Sequence, residues 1–438
     1  MSRIAVFGLG YVGSVSAACF AERGNEVIGV DVNADKVDLI NEGRTPVLEE
    51  RIGDVIADGI ESGRLRATTD VTAAVEETDI ALICVGTPSA PSGGLSTEYL
   101  ERVVEQIGEA LADREERYTV VLRSTMVPGT CEELLIPLLE KHSGKTAGTD
   151  FGIAVNPEFL REGTSVQDFF DPPKTVIGEY DPETGDVVAS LYDGLPGPVF
   201  RTAIKVAEMT KYVDNSFHAL KVAFANEVGT VSKALGLDSH QVMDIFKADT
   251  KLNIAPTYLT PGYAFGGSCL PKDVRGLLHT ARHRDLSLPL WEAILPSNEA
   301  IIDRVFEMIQ ESGAQRVSLF GLSFKAGTDD LRESPMVELA ERLLGRGHDL
   351  LIHDQQVAVS NLQGANRAYV EARIPHLSRL MATSADAVAN HAEIVVLASK
   401  DPDAIDAISR ATIRPVIDLV RSADEELASR EGYSGVAW

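Results

Sequence analysis

Residues able to do chemistry gather in a few short segments of this 438-residue chain. In Phe265-Gly266-Gly267-Ser268-Cys269-Leu270-Pro271-Lys272-Asp273 a thiol is followed by an amine three residues on and a carboxylate four residues on, a spacing that places all three on one helix face. A nearby cation or a helix N-terminus lowers a thiol pKa from its free value of about 8.5, which increases the thiolate available for attack. A lone loop cysteine is otherwise most often inert. Gly266 and Gly267 are expected to leave room for an approaching substrate. The segment NPEFLRE sets Glu158 and Glu162 four residues apart, and KYVDNSFHALKVAFANE sets Lys211, Asn215 and His218 at i, i+4 and i+7. Each set is expected to share one helix face. A solvated helix face is the plain alternative, weaker for Lys211 and Asn215, whose neighbours are apolar and would make unpaired polar groups costly.

A second chemistry is written at the start of the chain. Gly8, Gly10 and Gly13 follow the apolar run IAVF and open a helical stretch beginning Tyr11-Val12, which is the dinucleotide-binding spacing in its proper context. Gly8 permits the tight turn, Gly10 lets the backbone approach a pyrophosphate, and Gly13 allows close helix packing, with the helix N-terminus stabilising the phosphate charge. Asp31 closes the second apolar run, where its carboxylate would accept a ribose hydroxyl and repel a 2′-phosphate, so NAD is expected over NADP. Lys36, one turn further, weakens that discrimination. Thr87, in the loop after IALIC, and Thr125, after VVLRS, fall where the carboxyl edge of such a sheet meets its ligand. Helix capping is the alternative for either threonine.

These segments need elements to hold them. Strand-like runs (IAVFGLG, EVIGVDV, DIALICVGTP, TVVLRST, FGIAVNPEF) alternate with helical patterns, predicting a parallel sheet covered on both faces. Helical texture then takes over, interrupted near residues 252–273. Strands return as RVSLFGL, DLLIHD, EIVVLAS and RPVIDLV. The expected fold is α/β, with two doubly wound Rossmann-like domains joined by a helical middle domain: an NAD-binding domain over 1–202, a helical domain over 203–302, and a second Rossmann-like domain over 303–438. A net charge of −26 argues against nucleic acid, whose binding needs a basic surface, but leaves room for a small phosphate ligand. Cys19, Cys84, Cys131 and Cys269 are widely separated and lack zinc-ligand spacing, so neither a disulfide framework nor a metal site is implied. The apolar opening alternates like a strand, without a convincing cleavage site, and no run approaches eighteen apolar residues; a cytoplasmic protein away from membranes is expected.

Taken in order, GLGYVG, ICVGTP, NPEFLRE, KYVDNSFHALKVAFANE, FGGSCLPKD and GLSFKAGTDDLRES resemble the nucleotide-sugar 6-dehydrogenases, the family of UDP-glucose and GDP-mannose dehydrogenases, over essentially the whole chain. His218 within NSFHALKV, the FKAGTDDLRES loop and GANRAYVEARIPHLSRL lie nearer the GDP-mannose branch, with UDP-glucose oxidation as the alternative. The resemblance implies two successive NAD-dependent oxidations of a sugar C6 alcohol, first to an aldehyde and then to a carboxylate, the second through a thiohemiacetal and thioester on Cys269. It implies that Lys211 and Asp273 handle the alcohol proton or the developing oxyanion, with Asn215 orienting it. Glu158, with Thr125 holding a water, would serve thioester hydrolysis, and Glu162 would contact substrate as a secondary acid–base group. The sugar nucleotide would meet Leu160, Glu162, Lys211, Asn215, His218, Asn226, Tyr258, Tyr263, Gly266 and Lys325. Lys272 and Arg332 would reach the NAD.

The resemblance further implies that residues 303–438 bind the nucleotide sugar and that residues 203–302 form a homodimer, or an oligomer built on dimers, through the long middle helices. One departure stands out in Thr257-Tyr258-Leu259-Thr260-Pro261: Thr260 replaces an arginine of the GDP-mannose branch, removing a fixed charge from the substrate site. A two-electron hydroxy-acid dehydrogenase would need neither Cys269 nor the C-terminal domain. A noncatalytic nucleotide-sugar binding protein would be expected to have lost Cys269, Lys211 or Asp273.

Overall fold

Along the first apolar run, Ile4 and Val6 pack into one cluster while Ala5 and Phe7 pack into another, which is the alternation of a strand buried on both faces. The computed structural model describes residues 1–88, 94–256, 259–267, 269–323, 331–355, 357, 369, 372–412, 415–422 and 425–437. They divide into two units, Met1–Ala219 and Leu220–Trp438.

In the first unit, strands β1 (Arg3–Phe7), β2 (Glu26–Val30), β3 (Leu65–Thr68), β4 (Ile80–Ile83), β5 (Tyr118–Leu122), β6 (Phe151–Val155), β7 (Thr175–Glu179) and β8 (Val199–Thr202) form one sheet in the order β3-β2-β1-β4-β5-β6-β7-β8. The pairing is parallel apart from β7, which runs antiparallel to β6 with Ala154 opposite Glu179. Helices α1 (Tyr11–Glu22), α2 (Ala34–Asn41), α3 (Ile52–Glu61), α4 (Val71–Glu77), α5 (Glu98–Leu111), α6 (Ile136–Ser143), α7 (Ser165–Phe170) and α8 (Pro182–Ser190) connect them. Every residue of β4, β5 and β6 is buried, so these strands read as continuous apolar runs. The chain winds outward from β1 to β3 and then returns to β4 on the other side of β1. That reversal opens a crevice at the carboxyl ends of β1 and β4, the place where doubly wound sheets receive ligands.

A 31-residue helix, α9 (Ile204–Ala234), begins in the first unit and ends in the second. The second unit continues with α10 (Ser239–Lys247), α11 (Leu270–Arg282) and α12 (Pro289–Glu311). Glu227 accepts the otherwise orphaned N–H groups of Leu290 (2.8 Å) and Trp291 (3.1 Å) at the start of α12. Phe224 stacks on Trp291, and Val231, Leu278, Ala281 and Leu288 form a small core beneath them. Strands β9 (Arg316–Phe320), β10 (Asp349–His353), β11 (Ile394–Leu397), β12 (Val416–Asp418) and β13 (Tyr433–Gly435) follow in an all-parallel sheet ordered β10-β9-β11-β12-β13, with α13 (Pro335–Gly345) packed against it. The architecture is therefore α/β, with two doubly wound sheets and an intervening helical region. Among the described residues no helix is long and apolar enough to cross a membrane.

Candidate active site

The glycine turn after β1 is built as its spacing predicts. Gly8 has φ +92°, a conformation that favours glycine, and an added Cβ would lie 2.9 Å from the Val85 side chain. An added Cβ on Gly13 would lie 1.8 Å from the Gly8 carbonyl oxygen, so the helix can approach the strand only without one. At Gly10 a Cβ would meet nothing within 4 Å. Gly10 also begins α1 without a capping side chain, which leaves the first-turn N–H groups to an anion. A dinucleotide pyrophosphate fits this cradle.

Asp31, just beyond β2, does more than await a ribose. Its carboxylate accepts the N–H groups of Leu9 (2.7 Å) and Asn33 (2.9 Å) and pairs with Lys36 at 3.2 Å, so Lys36 is committed to Asp31. Tyr11 donates its hydroxyl to Glu49, and Val12 packs against the core. The Thr87 hydroxyl donates to the Thr125 carbonyl at 2.8 Å and joins the loops after β4 and β5; among the described residues neither threonine caps a helix.

The expected helical face for Glu158 and Glu162 is overturned. NPEFLRE is an irregular loop after β6: Pro157 disfavours helix before it, and the Glu158 carboxylate turns back to accept the Leu160 N–H at 2.8 Å. Glu158 consequently points inward, with its side chain 12% exposed, while Glu162 faces solvent. Lys211, on α9, is 10% exposed and donates to Glu158 at 2.8 Å. Neither charge would be tolerable here alone. Phe159 lies beside this pair, its ring 5.7 Å from the Lys211 ammonium and 4.5 Å from that of Lys174. Leu160 is half-buried against the core. Asn215 and His218 follow Lys211 on α9 as spaced, but both are exposed, contrary to the apolar surroundings expected for Asn215.

Cys269 sits at the N-cap of α11 and is exposed, and its carbonyl accepts the Asp273 N–H at 2.9 Å. Lys272 and Asp273 lie 3.4 Å apart in the first turn, both open to solvent. The space expected at Gly266 is filled. Gly266 is buried, and a Cβ there would fall 2.3 Å from the Glu333 carbonyl oxygen and 2.6 Å from Pro335, so its missing side chain lets the loop lie against the start of α13. Gly267 has φ +89°, and Asn298 clamps Phe265 by accepting its N–H and donating to its carbonyl. Tyr263 packs against the second unit's core, with its hydroxyl 3.5 Å from the Pro335 carbonyl. Arg332 is half-buried; Asn226 and Thr260 are exposed. Tyr258 and Lys325 lie outside the described residues.

Sequence reasoning passed over several residues that shape the site. Arg123 is buried beyond β5, donating to Asn156 (2.7 Å) and to the Tyr192 hydroxyl (2.9 Å). Its signal was a cation ending an apolar strand. Glu208, 2% exposed on α9, accepts the N–H groups of Gly129 (2.6 Å) and Cys131 (2.9 Å). The second unit also repeats the first unit's turn: Gly321 has φ +96°, and Leu322 donates to Asp354 at 2.7 Å, as Leu9 does to Asp31. A cavity of about 270 Å³ opens there, lined by His353, Asp354, Ser399, Lys400 and Asp401 among others. Among the described residues no cluster of metal-ligating side chains occurs.

Residues 2–195 match the NAD binding domain of the UDP-glucose/GDP-mannose dehydrogenase family, residues 205–300 its central domain and residues 318–423 its UDP binding domain. The chain belongs to this family of NAD-dependent nucleotide-sugar dehydrogenases. Among individual relatives, it is 48% identical to the GDP-mannose 6-dehydrogenase of Pseudomonas putida over 438 residues, all of both chains. It is 35% identical to a UDP-glucose 6-dehydrogenase of Haloferax volcanii, covering 82% of this chain and 84% of that one. The crystal structure of a ternary complex of GDP-mannose dehydrogenase from Pseudomonas aeruginosa superposes with a TM-score of 0.96 at 46% identity, covering the whole of both chains.

Proposed function

We propose that this protein oxidises the C6 hydroxyl of GDP-mannose to the carboxylate of GDP-mannuronate in two steps, with Cys269 holding the sugar between them. The likeness to GDP-mannose 6-dehydrogenases along the entire chain carries this reading. NAD, held by Gly8, Gly10, Tyr11, Val12, Gly13, Asp31 and the Thr87–Thr125 contact, supplies the hydride acceptor for each oxidation. Lys211 and Asp273, with Asn215 orienting the hydroxyl, take the alcohol proton and stabilise the oxyanion in the first step. The Cys269 thiolate then adds to the aldehyde carbon as a thiohemiacetal, the second oxidation leaves a thioester, and water cleaves the C–S bond to release the acid and the thiol. Glu158, held by Lys211, and Thr125 serve that hydrolysis, and Glu162 is the exposed acid of the same loop. The nucleotide is assigned to residues 303–438 and to the loop before α11.

The second copy of the chain docks on α9. Val206, Met209, Val213, Phe217 and Leu220 recur at helical spacing and are 41–52% exposed, an apolar stripe that a homodimer would cover. The decisive experiment compares kcat/KM for GDP-mannose, UDP-glucose and UDP-N-acetyl sugars and counts NADH per sugar. GDP-mannose is expected to lead and to yield two NADH. A preference for UDP-glucose would move the loss of charge at Thr260 to the centre of specificity and refute the GDP-mannose assignment, and a yield of one would refute the four-electron reaction.

A further inference from the structure

Glu49 lies in the irregular stretch between α2 and α3, among residues that no catalytic role claims. Its neighbour Leu48 is 99% exposed, yet the Glu49 carboxylate turns inward and collects donors from two distant segments. One oxygen accepts the Tyr11 hydroxyl and the Gly163 N–H (2.7 Å); the other accepts the Ser165 N–H (3.0 Å). Gly163 also donates to the Tyr11 hydroxyl at 3.3 Å. Thr164, at the N-cap of α7, makes no side-chain cap, so a first-turn donor of α7 is satisfied from 116 residues away. Burial works to raise the Glu49 carboxyl, but the bonds from Tyr11, Gly163 and Ser165 outweigh it and hold the group below the usual carboxylate range.

Each end of this junction meets something functional. Tyr11 is the first residue of α1, directly after the open Gly10 cradle. Beyond Gly163, the loop is one braced piece: Arg161 binds Asp168 through its backbone N–H (2.9 Å) and its guanidinium (3.0 and 2.6 Å), and Leu160 binds Glu158 at 2.8 Å. We propose that Glu49 is a positioning residue that ties the dinucleotide turn, through Tyr11, to the Gly163–Ser165 turn, so that cofactor occupancy tightens the loop bearing Glu158 and Glu162. An anion seated on the first-turn amides of α1 restrains Tyr11, and the shared carboxylate passes that restraint to the Gly163 and Ser165 N–H groups at the tip of the loop. The proposal rests on the cofactor occupying the Gly8–Gly13 turn.

The test is backbone hydrogen exchange in the full-length enzyme with and without NAD, in wild type, Glu49→Gln and Tyr11→Phe. In wild type, NAD is expected to slow exchange at residues 8–14 and to slow it about tenfold at Gly163 and Ser165, the scale of one charge-assisted hydrogen bond. In Glu49→Gln the first protection persists and the second is lost, and KM for the sugar nucleotide ceases to fall as NAD is raised. Tyr11→Phe, which removes one hydroxyl, loses the second protection even at NAD concentrations raised until residues 8–14 are fully protected, and carries the test if the Gln variant does not fold. Equal protection at Gly163 and Ser165 in wild type and variants, or none in wild type, overturns the coupling. Absence of protection at residues 8–14 in wild type overturns the cofactor placement and the coupling with it, whatever the sugar specificity proves to be.

Discussion

Of the four thiols, only Cys269 meets solvent. Burial pushes the Cys84 thiol up to about 12 and raises those of Cys19 and Cys131 as well, so all three stay protonated at neutral pH. Replacing Cys269 by Ser is therefore expected to cut acid formation at least about thousandfold, as loss of a covalent nucleophile does, while the protein still folds. Mass analysis of the product checks this, and undiminished acid removes the thioester. Type and spacing single Cys269 out as a candidate, and its nucleophilic role comes from the resemblance carried by the six ordered motifs. Glu158 was legible as an acid but misread in conformation: the four-residue interval to Glu162 suggested a helix, whereas Pro157 and a local side-chain bond to Leu160 impose a loop. Arg123, Asn156 and Tyr192 meet only through tertiary folding, and no local pattern announces such a network.

Elements inherit these constraints at their ends. Gly266→Ala should cost about 1–3 kcal/mol of stability, because its Cβ would enter the space of the Glu333 backbone and something must shift. Urea denaturation measures it, and an unchanged midpoint would mean that the loop before α11 relaxes freely. Glu208 holds the start of α9 to the Gly129–Cys131 turn. Burial pushes its carboxyl above the ordinary range, although the bonds from Cys131 and Gly129 oppose this. A carboxyl whose pKa is higher folded than unfolded adds stability while protonated and loses that contribution as pH rises through its folded pKa. Glu208→Gln, neutral throughout, loses one acceptor at a cost that does not change with pH, so its Tm relative to wild type should rise by about 2–4 °C from the carboxylate range to neutral pH. Calorimetry at several pH values decides it; a difference in Tm that does not change with pH rejects the assignment. Strands buried on both faces were readable from their apolar runs. Four strands were missed: β3, β8 and β13 are short edge strands with polar or exposed residues, and β7, though buried, is a short TVIGE run with only two large apolar residues.

At the level of the whole molecule, the alternation of strands and helices revealed two doubly wound sheets, but not the antiparallel β7 that turns at the far side of the first. The dimer assigned to α9 predicts that Val213→Asp, which sets a carboxylate in the middle of the apolar stripe, weakens self-association about a hundredfold and yields a monomer in light scattering. A dimer of unchanged mass moves the interface elsewhere. The twofold use of one device, a carboxylate holding the amide after a positive-φ glycine, has a thermodynamic meaning. Because Asp31 and Asp354 supply from within the chain a partner that a ligand would otherwise provide, both turns stand assembled before anything binds. Binding at the first then needs little rearrangement of the turn itself, so the ordering entropy it costs falls mainly on the Gly163–Ser165 loop. In the two-step reaction proposed above, release of a spent cofactor and uptake of a fresh one while the sugar stays tethered would gain from a berth that keeps its shape during the exchange.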